Sequence, residues 1–458
     1  MKKLLLIILA VFIQEVNAQV CFNLDSNIVL QSGGLVFSTE LTSADFNADG
    51  FLDVALLKVN TDSVSVYFGD GTGNFSVCTN FLIGIGSSPN HLNSADLNND
   101  NKKDLVIRAG SNLYILIANG SNSFNTAVSI SIGQGGGAGA IAFTDLNSDG
   151  LKDIVTTGYD STICTLLGTG AGVFGTPSYL GVTSYKYLYV NALTTSDFNN
   201  DGKTDIAAGY GNGAFQILLG NGTGGYLTGV NYSITGTNLQ WLISEDFNND
   251  SNVDIVIGWG GVDSVTVLLG NGTGTYSNSV NYYTDWAGQV VTADFNNDGF
   301  KDLGFTNVNG GYRVSIMLGT GSGSFNAPVN YAVSGFVWYI SSSDFNNDGK
   351  PDLATTGSRK LNVLINVNCG VTGIGENNSI QESIIYPNPT SNSFIIETVT
   401  NELKTVMIFD VSGKQVLTQK ISGMQNSIDV SSLSDGYYTL IIGTSTNTIS
   451  KKLAILGN

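Results

Sequence analysis

The chain is poor in charge and almost empty of groups that titrate near neutrality. Of its 458 residues only 12% are charged, one is histidine (His91), and there are just six prolines, four methionines and four cysteines. A single histidine removes most histidine-based acid–base and metal chemistry. Lys and Arg number 19 against 37 Asp and Glu, for a net charge of −18. That balance disfavours nucleic acid and anionic membrane as direct partners. Apolar runs are short, the longest being Leu4 to Ile13, about half of the ~20 residues that cross a bilayer. What is abundant is glycine, 57 residues of it, beside frequent Val, Ile, Tyr and Phe. That mixture builds strands and turns rather than helices.

The first apolar run has the grammar of an export signal. Lys2 and Lys3 precede Leu4 to Ile13, and Val16-Asn17-Ala18 follows as a small-residue cleavage site. Residues 1–18 are read as a signal peptide, with no transmembrane segment in the mature chain.

The acidic residues are not scattered. The pattern D-x-N-x-D-x-x-x-D begins at Asp45, Asp96, Asp145, Asp197, Asp246, Asp294 and Asp344, at intervals of 51, 49, 52, 49, 48 and 50 residues. A period that regular means one supersecondary unit copied in tandem. Around each copy lie four short strand patterns: Trp241 to Ser244 leads into one loop, Ile255 to Gly258 leaves it, Thr266 to Leu269 follows, and the turn Gly270-Asn271-Gly272-Thr273-Gly274 precedes a fourth. Four strands per fifty residues is the signature of a propeller blade. An open solenoid would need much shorter coils.

The expected fold is therefore all-β, a seven-bladed β-propeller over residues 19–369. After the seventh loop only two strand patterns remain, near Leu353 to Thr356 and Leu361 to Ile365, while Cys21-Phe22 and Ile28 to Leu30 supply a spare one at the other end. The N-terminal strand is expected to close the last blade, leaving no open edge. Cys21 and Cys369 would then face each other at the seam, a geometry suited to a disulfide in an exported protein. Cys78 and Cys164, in different blades, are expected to be buried thiols.

Each acidic loop offers hard oxygen donors at positions one, three, five and nine. These are Asp45, Asn47, Asp49 and Asp53; Asp96, Asn98, Asp100 and Asp104; Asp145, Asn147, Asp149 and Asp153; Asp197, Asn199, Asp201 and Asp205; Asp246, Asn248, Asp250 and Asp254; Asp294, Asn296, Asp298 and Asp302; and Asp344, Asn346, Asp348 and Asp352. With a backbone carbonyl at position seven, that donor set matches Ca2+ better than the tighter octahedron of Mg2+. The bland alternative is a set of hydrogen-bonded Asx turns. Three carboxylates per loop, with no cation near them in the sequence reading, would repel one another without a metal, and these loops hold twenty-one of the 37 acidic residues. Up to seven structural calcium ions are expected. Two loops carry Asn101 and Ser251 where the others have glycine, which predicts weaker sites.

The segments DFNADGFLD, DFNNDGKTD, DFNNDGFKD and DFNNDGKPD, with LLGNGTG turns between them, resemble the FG-GAP or VCBS repeat family over residues 20 to 369. The resemblance implies a propeller similar to the integrin α-subunit head, with structural calcium in the hairpin between the first two strands of each blade.

Strand parity places the acidic loops and the Gly-rich turns on one face. The opposite face is the varied one, and Trp259, Tyr210, Tyr159, Trp286 and Trp338 are its candidate ligand-binding residues, suited to stacking on sugar rings or gripping a protein loop. A calcium-stabilised binding or adhesion protein engaging extracellular glycan or protein is the first functional reading. An extracellular polysaccharide-active, lyase-like enzyme is the second. No catalytic residue is assigned: His91 is placed in a between-blade loop with no evident partner, and no carboxylate pair outside the metal loops is brought together by spacing.

At Gly370 the repeats stop, and residues 370–381 form a Gly, Ser and Asn-rich linker. Residues 382–458 then open with Tyr386-Pro387-Asn388-Pro389, carry a D-x-x-G-K turn at Asp410 to Lys414 and the run Gly436-Tyr437-Tyr438-Thr439-Leu440, and end with Lys451 and Lys452. Strands at Ser393 to Glu397 and Val406 to Asp410 predict a small β-sandwich. These features resemble the type A C-terminal sorting domain of the type IX secretion system. The resemblance implies passage across inner and outer membranes, contact with the secretion machinery, and a secreted or cell-surface destination.

Overall fold

The computed structural model describes residues 20–29, 38–84, 89–133, 139–158, 162–181, 189–227, 229–234, 236, 238–260, 263–284, 287–307, 312–357, 360–368, 384–388, 390–397, 404–410, 414–443 and 448–456. Residues 1–18, expected to be a signal peptide, and Cys369, Tyr159 and Trp286 lie outside them. Among the described residues the one helical element is the short 3-10 turn Val59–Thr61. The chain divides into two compact units, Met1–Val367 and Asn368–Asn458.

Among its described residues the first unit holds seven four-stranded sheets, numbered by their acidic loops. Their first strands are Ser38–Ala44, Pro89–Ala95, Ile141–Thr144, Val190–Ser196, Leu239–Glu245, Ala287–Ala293 and Val337–Ser343. Burial within a sheet follows strand order. Second strands such as Asp254–Trp259 are buried at every residue, so they read as nearly continuous apolar runs. Fourth strands such as Val77–Leu82 alternate between exposed and half-buried residues. Each sheet thus presses on neighbours along its inner strands and meets solvent along its fourth.

The first strands line a common centre and run round it without a break. Thr42 Oγ1 meets Ser94 Oγ at 3.0 Å, Thr194 Oγ1 meets Ser244 Oγ at 2.7 Å, and Ser43 Oγ lies 2.7 Å from Ser341 Oγ and 2.6 Å from Ser343 Oγ. The last contact joins the first sheet to the seventh, some 300 residues apart. The unit is a β-propeller.

Two devices repeat between sheets. The apolar residue at loop position two packs on an aromatic of the next sheet: Phe46 on Phe124, Phe247 on Phe325 and Phe345 on Phe75, with ring centres 5.6–5.8 Å apart. Its carbonyl accepts a hydrogen bond from a glycine N–H in the next sheet's Gly-rich turn, as in Gly172 to Leu97, Gly224 to Leu146, Gly274 to Phe198, Gly323 to Phe247 and, across the closure, Gly73 to Phe345. These glycines have φ between +71° and +86°, the left-handed region that favours glycine.

In the seventh sheet the strand Val20–Val29 lies beside Lys360–Asn368. Phe22 packs on Phe295 with ring centres 6.0 Å apart, in the role that Phe124 fills toward Phe46. With the chain leaving the repeat there, Asn366 Nδ2 replaces the turn glycine and donates to the Phe295 carbonyl at 2.8 Å. Cys21 takes part in a disulfide, while Cys164 is a buried free thiol. Cys78 is free but exposed, because it lies on an outward-facing fourth strand; the expectation of a buried thiol does not hold there.

The second unit has a three-stranded sheet, in the order Ile384–Tyr386, Ser393–Glu397, Gln425–Asp429, and a four-stranded sheet, in the order Gln415–Ile421, Lys404–Phe409, Gly436–Gly443, Thr448–Ile455. Phe394, Ile396 and Ile428 from the first share a buried core with Val406, Ile408, Leu440 and Leu453 from the second. Asp410 and Lys414 close their turn with reciprocal hydrogen bonds.

Candidate functional sites: acidic loops and central cavity

All seven acidic loops fold as the same closed turn. Positions four and six have positive φ in each copy, including Asn101 (+65°) and Ser251 (+67°) where glycine is missing. The position-one carboxylate accepts the N–H of position six at 2.7–2.9 Å in every loop. The position-three amide oxygen accepts the N–H of position five, from Asp49 to Asp348. Position three is half-buried and positions four to six are exposed in every loop.

Position nine behaves differently. Asp53, Asp104, Asp153, Asp205, Asp254, Asp302 and Asp352 are all completely buried. In each, Oδ2 accepts the N–H of loop position two at 2.7–2.9 Å. Oδ1 accepts a backbone N–H at the end of the third strand, from Gly69, Ala118, Gly168, Gly220, Gly270, Gly319 or Asn366, at 2.7–2.9 Å. One carboxylate therefore ties the acidic loop to the neighbouring turn of its own sheet. Burial pushes these carboxyls up, to about 7 at Asp53 and Asp302 and about 6 at Asp104, Asp205, Asp254 and Asp352. The two amides pull the other way, and the carboxylates at positions five and one push further up.

The loops are not uniformly without cations. At position seven Lys102, Lys203 and Lys350 reach the position-five carboxylates of Asp100, Asp201 and Asp348, at 2.5, 3.2 and 3.4 Å. In the other four loops the position-three amide donates to that same oxygen at 2.8–3.0 Å. Spacing hid the lysines, because a side chain two residues on looks directed away until the turn brings it back. The donors are all hard oxygens, which suits calcium, and an oxygen accepting one amide keeps a second lone pair. Among the described residues no three carboxylates converge closely enough to cage an ion as they stand.

On the opposite face two expected ligand residues prove to be core. Trp259 and Tyr210 are fully buried. Each ends a second strand, where neighbouring sheets cover both faces, and Trp259 Nε1 donates to Thr266 Oγ1 at 2.8 Å. Trp338 is half exposed, and Tyr189, Tyr283, Tyr312 and Phe336 are exposed at the same ends of their sheets. Tyr312 and Phe336 meet edge to face at 5.1 Å.

His91 is also not where the sequence placed it. It lies within the first strand Pro89–Ala95, and its Nδ1 is 2.8 Å from Oε2 of Glu40 in the preceding sheet. Both line a cavity of about 300 Å³ between the seven first strands. The pair escaped sequence reasoning because it joins residues 51 apart; the repeat register, which sets each a few residues before its own acidic loop, was the available signal.

Comparison with known proteins agrees with this architecture. The FG-GAP-like repeat model matches residues 45–107, 96–156, 197–257, 246–305 and 294–355, which together include all seven acidic loops. The secretion system C-terminal sorting domain matches residues 384–456. No curated protein matches the chain. Among solved structures, BBS1N in complex with ARL6DN is similar at 12% identity over 76% of this chain and 98% of that one, with a TM-score of 0.54. Raptor from Chaetomium thermophilum is similar at 10% identity over 72% and 28%, with a TM-score of 0.51. An Agrocybe aegerita lectin that recognises non-reducing terminal N-acetylglucosamine is similar at 18% identity over 66% and 82%, with a TM-score of 0.50. At these identities the likeness is one of fold alone. The chain belongs to the FG-GAP-like repeat family and ends in a secretion system sorting domain, which makes it a β-propeller protein exported to the cell surface or secreted.

Proposed function

We propose that the chain is a calcium-stabilised, seven-bladed propeller that binds an extracellular glycan or protein through the face opposite its acidic loops. The observation that carries the reading is the sevenfold recurrence of one oxygen-lined turn on one face, with exposed aromatics gathered on the other. Val20–Val29 serves as the fourth strand of the last blade, and the C-terminal unit is a small β-sandwich that delivers the chain to its secretion machinery.

In each acidic loop the side chains at positions one, three and five, the carbonyl at seven and the remaining lone pairs at nine would hold the ion. Bound calcium would supply positive charge in every loop, where only three have a lysine on the position-five carboxylate. Asp205 and its counterparts keep the loop seated on the sheet, so metal binding and blade stability are coupled through one side chain.

On the other face Trp338, Phe336 and Tyr312 form an aromatic patch of the kind that stacks on sugar rings or anchors a protein loop. Glycan-array binding in calcium and in EDTA, with wild type and the Trp338→Ala/Phe336→Ala double variant, tests the reading. Binding that is lost in the variant supports it; a variant that binds as well as wild type contradicts it.

A further inference from the structure

We propose that the cavity at the propeller's centre is itself a binding site, for a small neutral polyhydroxylated ligand such as a single sugar ring. It is separate from the surface patch and rests on different residues.

The cavity lies in the half of the central channel farther from the acidic loops, since its walls come from residues three to six positions before each loop begins. All seven first strands contribute. At about 300 Å³ it has room for about ten waters and sits at the small end of ligand-pocket sizes.

Its polar groups are built in rather than left over. The Glu40 side chain is 4% exposed, and its Oε2 accepts from both His91 Nδ1 and the Leu92 N–H. That carboxylate fixes the imidazole and leaves Nε2 as the free ring nitrogen. Two side-chain amides bridge neighbouring sheets with one end only: Asn191 Nδ2 donates to the Leu239 carbonyl at 3.1 Å, and Gln289 Oε1 accepts from the Ile340 N–H at 2.8 Å. The acceptor end of Asn191 and the donor end of Gln289 remain for a ligand.

The wall also carries an aromatic surface. Trp241 meets Tyr339 edge to face at 6.0 Å. Their sheets, the fifth and seventh, are not neighbours, so the contact reaches past the sixth at the centre. Trp241 Nε1 is buried and has no hydrogen-bond partner among the described residues. A buried indole N–H without a partner is costly, and an acceptor supplied by a ligand would satisfy it.

These features select a ligand class. Glu40, in a chain of net charge −18, disfavours an anion. Its Oε2 already accepts two hydrogen bonds, from His91 Nδ1 and the Leu92 N–H, so a cationic group would have to compete with both. Amide donors and acceptors, an imidazole nitrogen and an indole beside an aromatic face match hydroxyl groups on a ring whose C–H face is apolar.

Saturation-transfer NMR and titration calorimetry on the calcium-loaded mature chain test the assignment, with glucose, galactose, mannose and N-acetylglucosamine as probes and glucuronate and glucosamine as charged controls. A neutral sugar is expected to bind in preference to both charged ones. Trp241→Phe, which keeps the packing but removes the N–H, and Glu40→Gln, which keeps an acceptor for Leu92, should each weaken binding about tenfold with melting temperature retained, while Val128→Ala, at an exposed position outside both the cavity and the surface patch, leaves it unchanged. Absence of binding by any neutral sugar, preference for a charged control, or affinity indifferent to both cavity variants would overturn the proposal. If Trp338→Ala alone abolishes sugar binding, the surface patch is the site and the cavity is not.

Discussion

The ninth residue of each acidic loop shows how much one side chain can carry. Asp205 is fully buried and holds two amides, from Phe198 and Gly220, at 2.9 and 2.7 Å. Asp205→Ala would strand both N–H groups without a partner, and the variant should lose about 3 kcal/mol or more in urea unfolding. Asn199→Ala, at a half-buried position that holds the single N–H of Asp201, should by contrast cost about 1 kcal/mol or less in metal-free protein. Sequence reasoning treated positions one, three, five and nine as equivalent donors, because residue type and spacing are all that a motif displays. Burial separates them, and burial depends on the third and fourth strands, which the motif does not contain. Trp259 and Tyr210 pass for surface residues in the sequence for the same reason: an aromatic at a strand end looks exposed until the adjoining sheet covers it. Trp259→Ala should destabilise the fold by about 3–5 kcal/mol in chemical denaturation while leaving the surface patch intact.

At the scale of strands and turns, much was legible beforehand. The four strand patterns of the fifth repeat correspond to Leu239–Glu245, Asp254–Trp259, Ser264–Gly270 and Tyr276–Tyr283. Alternation and turn residues are local signals, and these strands are defined locally. The short strands Ile384–Tyr386 and Gln425–Asp429 were not foreseen, since a three-residue strand and the polar Gln425-Asn426-Ser427 carry little periodicity. What joins one sheet to the next was also hidden, because it pairs a turn glycine with a carbonyl one repeat away. Gly323 has φ +76°, and a Cβ there would lie 2.5 Å from Leu269 Cδ2. Gly323→Ala should therefore lower stability by about 2 kcal/mol, measurable as a shift in denaturation midpoint without loss of β-sheet circular dichroism.

For the whole molecule, closure and export are the features that matter. Ser43 joins Ser341 and Ser343, Gly73 joins Phe345, and Phe22 packs on Phe295, so the two ends of the repeat array hold each other. Complementary chain ends made this readable in advance, whereas the Glu40–His91 pair at the centre required the ring to be assembled first. The sorting domain over residues 384–456 predicts that deleting 384–458 leaves the propeller folded but unexported, read by immunoblotting of medium and cell-surface fractions. The most direct test of the central claim, that the acidic loops hold calcium and that calcium holds the propeller, is the melting temperature of the purified chain in calcium and after chelation by EDTA. A fall of many degrees on chelation, restored by added Ca2+, is expected; a melting temperature unchanged by EDTA would contradict the claim.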